Sequence, residues 1–197
     1  MTLLVATTNL HKVREIRRAL GDADLRLLTL ADVPPVAEPE ETGATFWENA
    51  RQKALAYAGA TGHLVVAEDS GLVIDALDGE PGVRSARFLA PDAAYEARFA
   101  EIYRRLDTRR HGAPFAARFV TALAVAEGGV IRYETESCIE GVIAPAPVGG
   151  HGFGYDPIFL YPPFGRTTAE MSDDEKLAVS HRGRVFRDLR RWLARPA

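Results

Sequence analysis

The sequence predicts an α/β fold built on a mixed sheet, in a single domain covering residues 1–197. Three observations carry that prediction. Short apolar runs alternate with amphipathic helical stretches through the first half of the chain, the pattern of strands separated by helices. Residues 115–143 hold two long strand-like runs broken by Gly128-Gly129, a hairpin signal. With 197 residues, 47% of them hydrophobic and 26% charged, the chain is large enough to bury a core without disulfide or metal staples.

The elements follow in order. Leu3-Leu4-Val5-Ala6-Thr7 is unbroken apolar sequence and reads as a buried strand. After the polar turn Thr8-Asn9-Leu10-His11, residues Val13, Ile16, Ala19 and Leu20 recur at helical spacing until Gly21 stops the helix. Residues 25–30 predict a second strand. Residues 33–42, with three prolines and three glutamates, predict a loop. Residues 44–59 form an Ala-rich helix stopped in the Gly59/Gly62 region. Leu64-Val65-Val66-Ala67 is a third buried strand, expected to end at Glu68-Asp69-Ser70-Gly71, with Leu72 to Leu77 a candidate continuation. Residues 78–87 predict a loop, 93–106 a helix, and 145–154 a Gly/Pro-rich loop. From Gly183 to Ala194, residues Val185, Phe186, Leu189, Trp192 and Leu193 line one face of a closing helix.

Composition excludes several classes of function. A net charge of −3 and a pI near 6.0 argue against nucleic acid as a stable partner. Cys138 is the single cysteine, which excludes a disulfide framework or a cysteine metal cage and suits a reducing, cytoplasmic setting. No apolar run approaches the roughly 18 residues of a membrane span, and Met1 to Thr8 lacks the marks of a secretion signal. No membrane partner is expected.

Among 24 basic residues only Lys12, Lys53 and Lys176 are lysine, and Asn9 and Asn49 are the only asparagines. A chain that writes surface charge as Arg keeps Lys where a compact, mobile point charge matters. Each of these rare residues lies in or beside a motif. Thr7-Thr8-Asn9-Leu10-His11-Lys12, between strand and helix, has a phosphate-binding layout, because helix-start N–H groups and the helix dipole attract anions. Asn9 reads equally well as a plain N-cap. Glu68-Asp69 places two acids on opposite faces of a strand, so one faces a site and the other faces away. Such a carboxylate suits a Mg²⁺ ligand or a general base, and by itself also suits an ordinary turn. Glu38, Glu40 and Glu41 precede a helix, where acids complement the dipole and where one of them also suits a metal. Lys53 sits inside that helix, the usual place of a solvated cation. Gly149 to Pro157 is too glycine-dense for core; Phe153 offers a stacking face and Asp156 an acceptor for ring N–H groups. Lys176 and Ser180-His181-Arg182 lead into the last helix, with Ser180 as its cap.

Together these stretches resemble the inosine/xanthosine triphosphate pyrophosphatases. The matching segments are Thr7 to Lys12, Glu41-Thr42-Gly43 with Thr45-Phe46 and Glu48-Asn49-Ala50, Asp69-Ser70-Gly71-Leu72, Pro81-Gly82-Val83 with Ser85-Ala86-Arg87, Gly152 to Pro157, and Ser180-His181-Arg182. They keep the family's order over essentially the whole chain. Thr8 stands where glycine is frequent in that family, and His151 interrupts the glycine run. The resemblance implies a long curved mixed sheet flanked by helical lobes with a central substrate cleft, and a homodimer. It implies hydrolysis of deaminated purine nucleoside triphosphates (ITP, dITP and XTP) to monophosphate and pyrophosphate, with Mg²⁺ as cofactor. Carried over by residue, Thr7, Thr8, Asn9, Leu10, His11, Lys12 and Lys53 hold the phosphates. Glu41 and Asp69 bind the metal, and Asp69 also takes the proton from the attacking water. Ser70 contacts substrate, Phe153, Gly154, Tyr155 and Asp156 receive base and sugar, and Lys176, His181 and Arg182 complete the pocket. Two rivals stand beside this reading. One is a Maf-like pyrophosphatase of pyrimidine or modified nucleotides, against which the base-pocket segments speak. The other is a non-catalytic nucleotide- or RNA-binding module, which gains nothing from carboxylates beside an anion.

Overall fold

The computed structural model describes residues 1–21, 25–109 and 114–195. Its strands are β1 (Thr2–Val5), β2 (Arg26–Thr29), β3 (Val65–Ile74), β4 (Ala116–Glu127), β5 (Val130–Ile143), β6 (Phe159–Tyr161) and β7 (Arg166–Thr167). Its α-helices are α1 (Leu10–Leu20), α2 (Phe46–Thr61), α3 (Tyr95–Asp107), α4 (Asp173–Val179) and α5 (His181–Leu193). Among the described residues the strands form one seven-stranded sheet in the order β2-β1-β3-β4-β5-β6-β7. β1 pairs in parallel with β2 and β3, whereas β5–β6 and β6–β7 are antiparallel, so the sheet is mixed. Gly128 and Gly129 join β4 to β5 at φ 56 and 79, the two positive values that a tight hairpin turn needs.

The chain groups into two compact units, Met1–Asp69 with Thr121–Ser137 and His181–Ala197, and Ser70–Val120 with Cys138–Ser180. β3, β4 and β5 each contribute residues to both. Where α2 meets the sheet in the first unit, alanines make up much of the buried cluster. Ala50, Ala54 and Ala58 of α2 meet Ala67, Ala122, Ala124 and Ala126 of the strands, with Leu4, Val65 and Tyr57 filling in. A surface of methyl groups lets a helix lie close to a sheet. The neighbouring stripe on α2, at positions 49, 53 and 57, is then buried too, which carries Asn49 and Lys53 inward. α1 packs Val13, Ile16, Ala19 and Leu20 inward, and α5 does the same with Val185, Phe186 and Leu189. The second unit has a larger-residue core, including Leu72, Ile74, Phe99, Ile102, Phe119, Tyr155, Ile158 and Phe159.

Several element boundaries differ from the sequence reading. β3 does not stop at Gly71 but runs on to Ile74, the first part of the Leu72 to Leu77 continuation, so Glu68, Asp69 and Ser70 lie inside a strand rather than at a turn. Gly71 is demanded by close approach: a Cβ there would sit 2.3 Å from Ser85 Oγ and 2.5 Å from the Gly82 carbonyl oxygen. α2 passes Gly59 and ends at Thr61, where Gly62 takes the left-handed C-cap at φ 68. α4 is an unexpected helix, started by the Ser172/Glu175 capping box. Ser180 closes α4, its N–H donating to the Lys176 carbonyl, and α5 begins at His181, two residues earlier than expected. β6 and β7 are too short for a periodic signal.

Candidate active site

The first unit gathers the rare lysines and asparagines around β3. α2 starts with a capping box in which Thr45 Oγ1 accepts from Glu48 N–H and the Glu48 carboxylate accepts from Thr45 N–H. That start sets the rotation of the helix, and one turn on, Asn49 is wholly buried. Its amide nitrogen donates to Asp69 Oδ2 at 2.9 Å, while its carbonyl oxygen accepts from Gly43 N–H at 2.8 Å. One further turn along, Lys53 Nζ reaches Glu41 Oε1 at 2.8 Å and Asp69 Oδ1 at 3.5 Å. Lys53 is therefore not the solvated helix residue that its position suggests. Two carboxylates directed at one positive centre are a donor set that suits a hard divalent cation. Among the described residues no cluster of three or more His, Cys, Asp or Glu side chains forms an all-protein metal cage. A magnesium-like ion needs none, since it takes one or two carboxylates and completes its shell with water and phosphate oxygens.

The two adjacent acids of β3 differ in electrostatics. Asp69 is only 5% exposed. Burial pushes its carboxyl above the usual range; Lys53 and the Asn49 hydrogen bond oppose that only in part, and Glu41 adds to it. Glu68, on the opposite face of the strand, does not face away idle: Lys12 Nζ stands 2.7 Å from its Oε1 and Arg182 Nη2 3.5 Å from the same atom. Burial again disfavours the charge, yet Lys12 and Arg182 outweigh it and hold this carboxyl well below its ordinary value. Glu68 Oε2 accepts no hydrogen bond. Arg182 also holds Glu15 of α1, Nη1 to Oε2 at 2.6 Å. Burial lowers the proton affinity of the Lys53 ammonium, but Asp69 and Glu41 more than restore it, so it stays charged.

At the start of α1, Asn9 is the N-cap, its Oδ1 accepting from His11 N–H at 2.9 Å and Lys12 N–H at 3.3 Å, and Thr7 Oγ1 accepts from Asn9 N–H. The capping alternative is realised. Thr8 and His11 are exposed, and Leu10 is 74% exposed, so none of them is a packed side chain, and the His11 N–H is already held by Asn9.

The second unit holds the glycine-dense loop. Asp156, buried, organises it: Oδ2 accepts from Lys176 Nζ at 2.6 Å and from Phe153 N–H at 2.8 Å, and Oδ1 accepts from Thr168 Oγ1 at 2.8 Å. Gly152, at φ 72, has no room for a side chain; its Cβ would fall 2.1 Å from Asp156 Oδ2. Lys176 Nζ lies 5.0 Å from the centroid of the Phe153 ring, within cation–π range. The Asp156 carboxylate is thus engaged in holding the loop and Lys176, where the sequence suggested an acceptor open to a base. Tyr155 is buried as well, its hydroxyl donating to the Ser85 carbonyl at 2.9 Å, so it too is engaged inside this unit. Ser70, half-buried, begins this unit.

Sequence reasoning did not assign Asn49, Glu68, Glu15 or Thr168. The scarcity of Asn was a usable signal for Asn49. Glu68 was masked by its neighbour, and Thr168 carries no local signal.

The Ham1 family model matches residues 3–192. A dITP/XTP pyrophosphatase of Exiguobacterium is 44% identical over 189 residues, covering 96% of this chain and 95% of that protein. The dITP/XTP pyrophosphatase of Geobacter sulfurreducens is 45% identical over 184 residues, covering 93% and 92%. Among solved structures, a HAM1 protein from Coxiella burnetii superposes with a TM-score of 0.88 at 35% identity, covering 98% of each chain. The Staphylococcus aureus Ham1 protein gives 0.87 at 32%, also covering 98% of each.

Proposed function

From the premise that the chain belongs to the Ham1 family, we propose that it is a nucleoside triphosphate pyrophosphatase that clears ITP, dITP and XTP from the nucleotide pool. Residues 1–197 work as one catalytic domain in a cytoplasmic homodimer. The observation that carries the reading is the surround of Asp69: a buried carboxylate of raised proton affinity, hydrogen-bonded by Asn49 and shared by Lys53 with Glu41.

Hydrolysis adds water across the anhydride joining the α- and β-phosphates and releases monophosphate and pyrophosphate. Such transfers need positioning and neutralisation of charge more than covalent help. Asp69 takes the proton from the attacking water, which its raised proton affinity favours over an ordinary exposed carboxylate. Asn49 keeps one Asp69 oxygen directed away from that task. Within Thr7 to Lys12, the Thr8 and Leu10 N–H groups and the Lys12 ammonium are directed to the phosphates, and Lys53 adds a second point charge. Glu41 and Asp69 would hold Mg²⁺, which when bound would neutralise phosphate charge. Ser70 contacts the nucleotide, Phe153 and Gly154 receive the base with Lys176 beside them, and His181 and Arg182 supply donors toward its 6-oxo group. Adenine carries an amino group there, so a donor-lined pocket disfavours ATP.

A pyrophosphate-release assay with ITP, XTP, dITP, ATP, GTP and dTTP side by side tests this. Preference for the deaminated purines is expected. Preference for dTTP would reassign the chain to pyrimidine chemistry, and no turnover of any triphosphate would leave a binding module.

A further inference from the structure

Ser85 makes four hydrogen bonds inside the second unit. Its Oγ accepts from Leu72 N–H at 2.9 Å and donates to the Gly82 carbonyl at 2.6 Å. Its own carbonyl oxygen accepts from Tyr155 OH at 2.9 Å and from Arg98 Nη1 at 3.2 Å. Leu72 lies two residues beyond Ser70 on β3, and Tyr155 stands in the loop that offers Phe153. One buried serine is therefore bonded at one end to the strand and at the other to the loop.

The fit around it is close on every side. Gly71 is forced to be glycine by the Ser85 hydroxyl, as its absent Cβ would overlap it. Arg98 stands behind. Its guanidinium is buried and meets carbonyls, not a carboxylate: Ser85 through Nη1, and Ala90 and Pro91 through Nη2 at 3.0 and 3.3 Å. Its Nε is left without a hydrogen bond, and its flat face lies 4.7 Å from the Tyr95 ring centroid. Tyr95 in turn meets the edge of Tyr155 at 5.3 Å and lies against Gly154, whose Cβ would be 3.6 Å from the Tyr95 hydroxyl. Burying a charge on these terms costs stability that an apolar side chain would not cost. The arrangement makes sense if it holds something in register.

We propose that Ser85, Arg98 and the Tyr155 hydroxyl are positioning residues that set where the Phe153 loop stands relative to β3, and thereby set selectivity for the base. This rests on the reading that Phe153 and Gly154 receive the base. The bracket touches no reacting atom, so its loss should weaken recognition of the base and leave recognition of the phosphates and the chemical step alone.

The test uses Tyr155→Phe, which keeps the ring and removes one hydrogen bond, and Ser85→Ala as a second variant, each compared with Phe153→Ala. KM and kcat for ITP, the ITP/GTP ratio of kcat/KM, and inhibition by inorganic tripolyphosphate are measured on the full chain. Tyr155→Phe should raise KM for ITP roughly fivefold, as expected for one lost buried hydrogen bond, and lower the ITP/GTP ratio, with kcat and tripolyphosphate inhibition within about twofold of wild type. A merely structural residue would not separate base from phosphate in this way. If Phe153→Ala raises KM while Tyr155→Phe and Ser85→Ala leave KM and the ratio unchanged, the bracket idea is overturned and the base reading stands. Equal loss of ITP and tripolyphosphate binding in the two variants also overturns it. If Phe153→Ala itself leaves KM unmoved, the base reading fails first.

Discussion

Asp69→Asn should abolish most activity and at the same time stabilise the protein at neutral pH. The side chain is almost fully buried, and burial raises its proton affinity despite Lys53 and Asn49. A carboxyl whose folded pKa lies above its unfolded value of 3.8 favours the folded state while protonated and costs it stability once ionised. That cost sets in as pH rises through the folded pKa and is fully present at pH 8. Asparagine removes the charge and keeps an oxygen to accept from Asn49, while Lys53 retains Glu41 at 2.8 Å. The gain appears as a higher Tm at pH 8. The gain should shrink on acidification and vanish below about pH 4, where the wild-type carboxyl is itself protonated. Losing a positioned proton acceptor should lower kcat by ~10²–10⁴. Pyrophosphate release from ITP and thermal melts at pH 8 and pH 4 read both quantities. A variant within tenfold of wild-type turnover would remove Asp69 from the proton path, and a Tm lower than wild type at pH 8 would show that the Lys53 ion pair outweighs burial.

Three further outcomes are expected. Glu41→Gln should shift half-maximal Mg²⁺ upward and recover most activity at high Mg²⁺; an unchanged Mg²⁺ titration would exclude Glu41 as a ligand. Lys12→Arg and Lys53→Arg should each lose ~10² in kcat/KM for ITP, because a guanidinium is bulkier and directs parallel donors where one ammonium now sits; Arg14→Lys, on the exposed side of α1, should be nearly silent, and equal behaviour of all three would mean that lysine scarcity is compositional. Arg182→Ala should lower kcat/KM for ITP more than for ATP, and an equal loss on both would place Arg182 with Glu15, Glu68 and the phosphates only.

The sequence made the framework legible wherever periodicity ran long enough. The β4–β5 hairpin, α1 and the Ala-rich α2 declare themselves through spacing and punctuation. Residues 68–71 misled because acid, acid, serine and glycine look like a turn, whereas here the glycine exists to let Ser85 approach and the strand continues beneath. α4 is seven residues long and polar on most of its surface, so only its capping box marks it. Within the loop, residue chemistry pointed to Asp156 as an acceptor for a base and the family resemblance added Tyr155; in the structure Asp156 is bonded to Lys176 and Thr168, and Tyr155 to Ser85. Residue type gives the bonding capacity of a side chain, not the partner that uses it. Rarity was the better guide: all three lysines and both asparagines proved to be held in specific contacts.

Those contacts have an electrical consequence. Among the described residues of the first unit, ion pairs join Lys12, Lys53 and Arg182 to Glu15, Glu41, Glu68 and Asp69. A bare triphosphate arriving there must take each lysine from an acid that then stands exposed to it. A triphosphate that brings its own counter-charge faces no such competition, since the released acids have a cation to turn to. The group therefore behaves as an exchange, in which partners are traded rather than vacancies filled, and the ionic form of the nucleotide decides whether the trade is downhill.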